Sequence, residues 1–181
     1  MEFNNKNPKI YILTGKAQSG KNEATKIIKK YYEHKNKKTI EIAYASYLKQ
    51  YIKNITNWDG KEETKPRELL QQIGVELIKN QIKENMLIER IVDDIKVYSY
   101  FFDVIILSDA RFKEEIETIK NKFNNVTVIK IIGKENKLTE LQKNHITETA
   151  LDNYDKYDYT IENKTTKEEL ENKIYKVLEV N

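Results

Sequence analysis

Apolar residues fall into two rhythms along this chain. Short runs rich in isoleucine, valine and tyrosine occur at 9–14, 39–43, 103–107, 126–132 and 158–161. Their length and β-branched content predict buried strands. Between the runs, apolar positions recur every three or four residues. Ala24, Ile27, Ile28 and Tyr31 form one stripe, and Phe112, Ile116, Ile119 and Phe123 another, as expected of helices that bury one face. Thr166 and Glu169 have capping-box spacing and open a last helix that continues through Leu170, Ile174 and Val177. Strands alternating with helices predict a three-layer α/β/α fold around a five-stranded parallel sheet.

One interval breaks the alternation. Residues 44–102 read as helix at about 44–56, 65–80 and 82–101, interrupted only by "TNWDGKEETKP". That is too much helix for one crossover, so an inserted helical subdomain is expected over the carboxyl edge of the sheet. The 181 residues suit a single domain with a full core. No repeats and no low-complexity linker are present.

The candidate chemistry begins where the first strand ends. "GKAQSGKN", residues 15–22, fits the phosphate-loop pattern G-x-x-x-x-G-K-[ST] except at its last position. Gly15 and Gly20 let the backbone curl, so that the amides of Lys16, Ala17, Gln18 and Ser19 can face an anion at a helix start. Lys21 would reach the β- and γ-phosphates. Asn22 replaces the hydroxyl residue that normally ligates Mg²⁺, and its amide oxygen can serve a hard cation directly or through water. A plain glycine turn would not need the strand before, the helix after and the lysine all in register.

Two further stretches carry candidates. "FFDVIILSDARF" ends a buried strand on Ser108 and Asp109. Asp109 is placed like the carboxylate that holds Mg²⁺ beside a phosphate loop; it also reads as a cap of the next helix, and both roles can hold. "TKPRELLQQIGVELIKN" starts a helix at Pro66 in which Arg67, Gln71 and Gly74 share a polar face beside Leu70, Ile73 and Leu77. A mid-helix glycine costs about 1 kcal/mol against alanine and implies close approach of a ligand or another helix. Arg67 reads either as a clamp for an anionic acceptor or as a surface arginine paired with Glu63 or another acid.

Composition narrows the function. The chain has no cysteine, which excludes disulfides and thiolate zinc sites. The polar N-terminus "MEFNNKNPK" does not read as a signal peptide, and no apolar run approaches a membrane span, so a cytoplasmic protein is expected. The net charge is +3 with signs mixed, and the most basic stretch, "KKYYEHKNKK", reads as a solvated helix end, so no nucleic-acid or membrane partner is expected. Basic residues divide into 29 lysines and three arginines, Arg67, Arg90 and Arg111, which singles out those three positions. No N-K-x-D or D-x-x-G is placed for a GTPase switch. Asp109 is followed by alanine rather than a water-polarising glutamate, which favours transfer to a bound acceptor over hydrolysis.

The loop, "YASYLKQ", "KPRELLQQIG", "SDARFKEE" and "HITETALDNYDKYDYTIEN" together resemble the phage-type deoxynucleoside monophosphate kinases over residues 10 to about 175. Animal-type phosphomevalonate kinases are similar in the loop and the "LDN…D…IEN" tail, and "KPRELLQQIG" favours the nucleotide kinase. Thr147 stands where the family often has serine. The resemblance implies a nucleoside-monophosphate-kinase-like fold, with an acceptor-binding insertion at about 44–102 and a lid-like segment at about 133–148. It implies ATP on Lys21 and the loop, Mg²⁺ held by Asp109 with Asn22, and a deoxynucleoside monophosphate on Lys49, Arg67, Gln71 and Glu148. Arg111 and Glu115 would lie near the phosphates, with His145 in the lid-like stretch. Lys21, Arg67 and Arg111 would be the catalytic set, joined by Lys134, Lys137 and Lys143 of the lid. A homodimer is left open, and a nucleotide-binding protein without transfer activity is the rival from another class.

Overall fold

The computed structural model describes residues 3–134 and 139–180; Lys137 lies outside them. Its sheet has five strands, all parallel: β1 (Lys9–Thr14), β2 (Thr39–Ile42), β3 (Val104–Ala110), β4 (Val126–Gly133) and β5 (Tyr159–Asn163). Their order is β2-β3-β1-β4-β5, so β1 is central and its carboxyl end lies between those of β3 and β4. Helices α1 (Lys21–His34) and α8 (Lys167–Val180) cover one face. Helices α4 (Met86–Tyr98) and α5 (Lys113–Lys122) cover the other.

Alternation within the strands sorts the core between those faces. Tyr11 and Leu13 of β1, with Val104 and Ile106 of β3, meet Ala24, Ile27, Ile28 and Tyr31 of α1 and Leu170, Ile174 and Val177 of α8. Ile10, Ile12, Ile105 and Leu107 point the other way, onto Ile88, Ile91, Val92 and Ile95 of α4 and Ile116 and Ile119 of α5. Each such side chain contributes roughly 1.5–3 kcal/mol by leaving water. Strands buried on both faces read as continuous apolar runs, which is why they stand out in the sequence.

In the rest of the 44–102 interval, Tyr44 joins the second core and Tyr47 packs against it. Helix α2 (Tyr44–Ile55) is followed by a loop and then by α3 (Arg67–Gln71), which continues as a π-helix over Gln72–Ile82. A 3.6-residue period predicts Leu70, Ile73 and Leu77 on one apolar face. Instead Leu70 and Ile78 are buried and Leu77 is exposed. The wider turn is the cause: bonds of the i→i+5 kind, as from Lys83 N–H to Ile78 O at 2.9 Å, carry the buried face from Leu70 past Gly74 to Ile78. A Cβ on Gly74 would sit 2.9 Å from Leu48 Cδ1 of α2, so the glycine admits a neighbouring helix. Arg90, on α4, lies over the rings of Tyr47 and Tyr51 and fastens α2 to the body. No described helix is long and apolar enough to cross a membrane.

Candidate active site

Beyond β1 the chain turns through residues 15–20 into α1. Gly15 and Gly20 have φ of +139° and +103°, a region that favours glycine. Neither has room for a side chain: a Cβ would lie 2.2 Å from Ile131 O at Gly15 and 2.1 Å from Asn163 Nδ2 at Gly20. Asn163, the last residue of β5, donates its Nδ2–H to Ser19 O at 3.0 Å and clamps the loop from the side. Nothing next to Asn163 in the sequence marks it for this role. Inside the loop, Ser19 Oγ is buried without a hydrogen-bond partner. A buried orphan hydroxyl is costly unless something fills the site, so the loop is suited to an anion.

Lys21 opens α1, and its ammonium is turned back into the loop, donating to Gly15 O at 2.7 Å and Lys16 O at 2.8 Å. Burial first, and the charge of Arg111 second, lower its pKa to about 7, against the opposing pull of Glu148 and Asp109. Asn22 is exposed on the first turn.

Asp109 sits near the end of β3, which runs three residues beyond the expected 107. Its oxygens accept the N–H groups of Tyr44 and Ala45, both at 2.8 Å. It therefore caps α2, 65 residues away, rather than the following helix α5. Burial pushes its carboxyl up, while the two amides and then Arg111 and Lys21 pull it down. Each oxygen keeps a lone pair for a further partner. Mg²⁺ is usually held by one or two carboxylates together with substrate phosphates and waters. Asp109 supplies one such carboxylate, and no cluster of three or more acidic or histidine ligands exists among the described residues.

After β3 the chain turns at Arg111. Glu115, in the first turn of α5, reaches back to accept Arg111 N–H at 2.6 Å and Phe112 N–H at 3.0 Å. Burial raises its pKa to about 8, against those two bonds. The guanidinium of Arg111 extends to Glu148, with Nη1 2.8 Å from Oε1. Glu148 lies on the short helix α7 (Ile146–Thr149), which follows α6 (Glu140–Lys143). Its other oxygen accepts the loop amide of Ala17 at 2.7 Å. The Glu148 carboxylate, expected on the acceptor side, thus bonds the loop and Arg111. His145 caps α7, its Nδ1 accepting Thr147 N–H at 3.3 Å. Lys143 pairs with Glu140 at 3.0 Å, and Lys134 is exposed.

A second set of cations stands beside the loop. Arg67 Nη2 meets Glu62 Oε1 at 2.6 Å, and Lys65 meets Glu62 Oε2 at 3.2 Å. Glu62, not Glu63, is the acid that Arg67 finds. The Lys65 side chain is only 19% exposed. Burial and the charge of Lys49 lower its pKa, and Lys65 in turn acts on Lys21. Lys21, Lys49, Lys65, Arg67 and Arg111 thus act on one region, with Glu62, Asp109 and Glu148 as the acids among them. Lys65 was missed in the sequence because lysines are everywhere in it; its place directly before Pro66 and Arg67 was the available signal. Gln71 is linked to the same region, donating to Thr147 Oγ1 at 3.2 Å.

Loop amides and a buried lysine at the mouth of a parallel sheet are the apparatus of a phosphate-loop protein. The helices raised between β2 and β3 narrow the class to kinases shaped like the nucleoside monophosphate kinases. The family model of deoxynucleotide monophosphate kinases matches residues 22–174. The chain belongs to that family and is a phosphotransferase. The match opens one residue after Lys21, so the loop rests on its own geometry. No significant match to a curated protein was found.

Proposed function

We propose that the protein transfers the γ-phosphoryl group of ATP to a deoxynucleoside monophosphate, giving ADP and a deoxynucleoside diphosphate. The observation that carries this reading is that two groups of cations act on one another. Lys21 and Arg111 lie at the loop, and Lys65, Arg67 and Lys49 lie at the helical insertion. An oxygen of the acceptor phosphate attacks the γ-phosphorus, and the bond to the β–γ bridging oxygen breaks, leaving ADP. This chemistry needs positioning and charge neutralisation more than acid–base help. Lys21 and the loop, with its orphan Ser19 hydroxyl, hold the donor phosphates. Arg67 offers two parallel N–H groups to the acceptor phosphate, with Lys65 and Lys49 as point charges and Gln71 alongside. Mg²⁺, when bound, would neutralise donor charge, with Asp109 and Asn22 as the residues to hold it.

ADP release from purified protein with ATP and dAMP, dCMP, dGMP or dTMP tests the proposal, with phosphomevalonate as the comparison acceptor. Turnover only with phosphomevalonate would overturn the substrate class. ATP binding without turnover on any acceptor would make the protein a nucleotide binder.

The exposed amide of Asn22 gives a narrower expectation. Asn22→Ala should raise the Mg²⁺ concentration needed for half-maximal rate, by roughly the severalfold effect of one lost weak oxygen contact, and Asn22→Ser should restore it. An unchanged Mg²⁺ titration in the alanine variant would remove Asn22 from the metal site.

A further inference from the structure

Thr147 and Glu148 are neighbours on α7, yet they bond to different parts of the fold. Thr147 Oγ1 accepts the amide of Gln71, from the helix of the insertion, at 3.2 Å. Glu148 is 9% exposed, and its two oxygens are divided between Ala17 N–H of the loop at 2.7 Å and Arg111 Nη1 at 2.8 Å. Arg111 is fixed at both ends, its backbone N–H by Glu115 and its guanidinium by Glu148. The same guanidinium reaches Thr147 O at 3.5 Å. A carboxylate taken out of water is retained only where strong, charge-assisted partners replace its hydration. Here those partners are the loop amide and the one arginine beside Lys21.

We propose that Glu148 is a positioning residue. It aims Arg111 across the donor loop and, through Thr147 and Gln71, makes that aim depend on the acceptor side. This rests on the donor and acceptor sides assigned above. Binding of one substrate then changes affinity for the other, and the effect is reciprocal. Chemistry slows when the aim is lost even though both substrates still bind.

Glu148→Gln keeps the size and one acceptor oxygen but not the charge opposite Arg111. It is expected to lower kcat roughly tenfold with little change in the KM for ATP. The ratio of ATP affinities with and without the best monophosphate of the panel should move towards one. In an Arg111→Ala background the same change should have almost no further effect on kcat, because the two residues act as a unit. A carboxylate that only supports the fold would instead lower Tm and subtract the same factor of activity in both backgrounds. That result, or a rise in acceptor KM alone, would overturn the proposal. Thr147→Val tests the other half without touching the carboxylate: the affinity ratio should shrink while ATP binding alone is unchanged, and an unshifted ratio rejects the link to Gln71. Should no monophosphate be turned over, the function assigned above has failed. The Glu148–Arg111 unit is then judged by the same double-mutant cycle on ATP binding, where additive losses reject it.

Discussion

Lys21→Ala is expected to lose at least about a hundredfold in kcat, the scale of removing one preorganised charge from a transition state. The protein should still fold. Lys21 is buried, but its ammonium serves no core contact and donates only to Gly15 O and Lys16 O. Leaving those carbonyls unpaired costs about 1–3 kcal/mol, while relief of the repulsion from Arg111 acts the other way. A modest fall in Tm with activity abolished is the expected pair of results. Folded protein with near-wild-type turnover would reject the loop as the donor site.

The same lysine gives a proton signature. Its pKa, lowered from 10.5 to about 7, leaves it largely neutral at pH 8 in the free protein. A neutral amine still has two hydrogens for the two carbonyls it touches. Donor phosphates favour the charged form, so ATP binding at pH 8 should take up about one proton. Uptake should fade as pH drops below 7, where the free lysine is already charged. Calorimetry in buffers of different ionisation enthalpy measures it, and Lys21→Ala should abolish it.

The parts of this molecule visible in its sequence are those made by near neighbours. A strand buried on both faces announces itself as an apolar run, and Gly15, Gly20 and Lys21 carry their spacing within seven residues. What was hidden is of two kinds. The π-helix is a change of period that a 3.6-residue template absorbs without complaint, and it sent Leu77 outward and Ile78 inward. The other kind is contact across the fold. Asp109 meets the amides of Tyr44 and Ala45, Glu148 meets Ala17 from 131 residues away, and Asn163 holds Ser19 from 144. Only the family resemblance singles out Glu148; its charge does not, in a chain with 34% charged residues. The short β5 and α7 acquire their meaning only when the parallel sheet brings their ends beside the loop.

Arg67→Lys is expected to lose roughly ten- to hundredfold in kcat/KM for the monophosphate, with ATP affinity little changed. A charge-assisted hydrogen bond contributes about 1.5–3 kcal/mol, and lysine keeps the charge but not the parallel pair of donors. Without substrate, Arg67 is held by Glu62 at 2.6 Å, but Glu62 is 62% exposed. Such exposed pairs are worth only about 0.2–1 kcal/mol, so an incoming phosphate displaces that carboxylate easily. Lys65 lies on the same acid and would move with Arg67 to the phosphate, which predicts that Lys65→Ala weakens the acceptor in the same direction. Steady-state kinetics with acceptor varied at saturating ATP, together with ATP binding by calorimetry, separates the outcomes. Equal losses for ATP and acceptor would put Arg67 on the donor side of the site. No loss for either would leave Arg67 as a surface partner of Glu62 and move the acceptor phosphate elsewhere in the insertion.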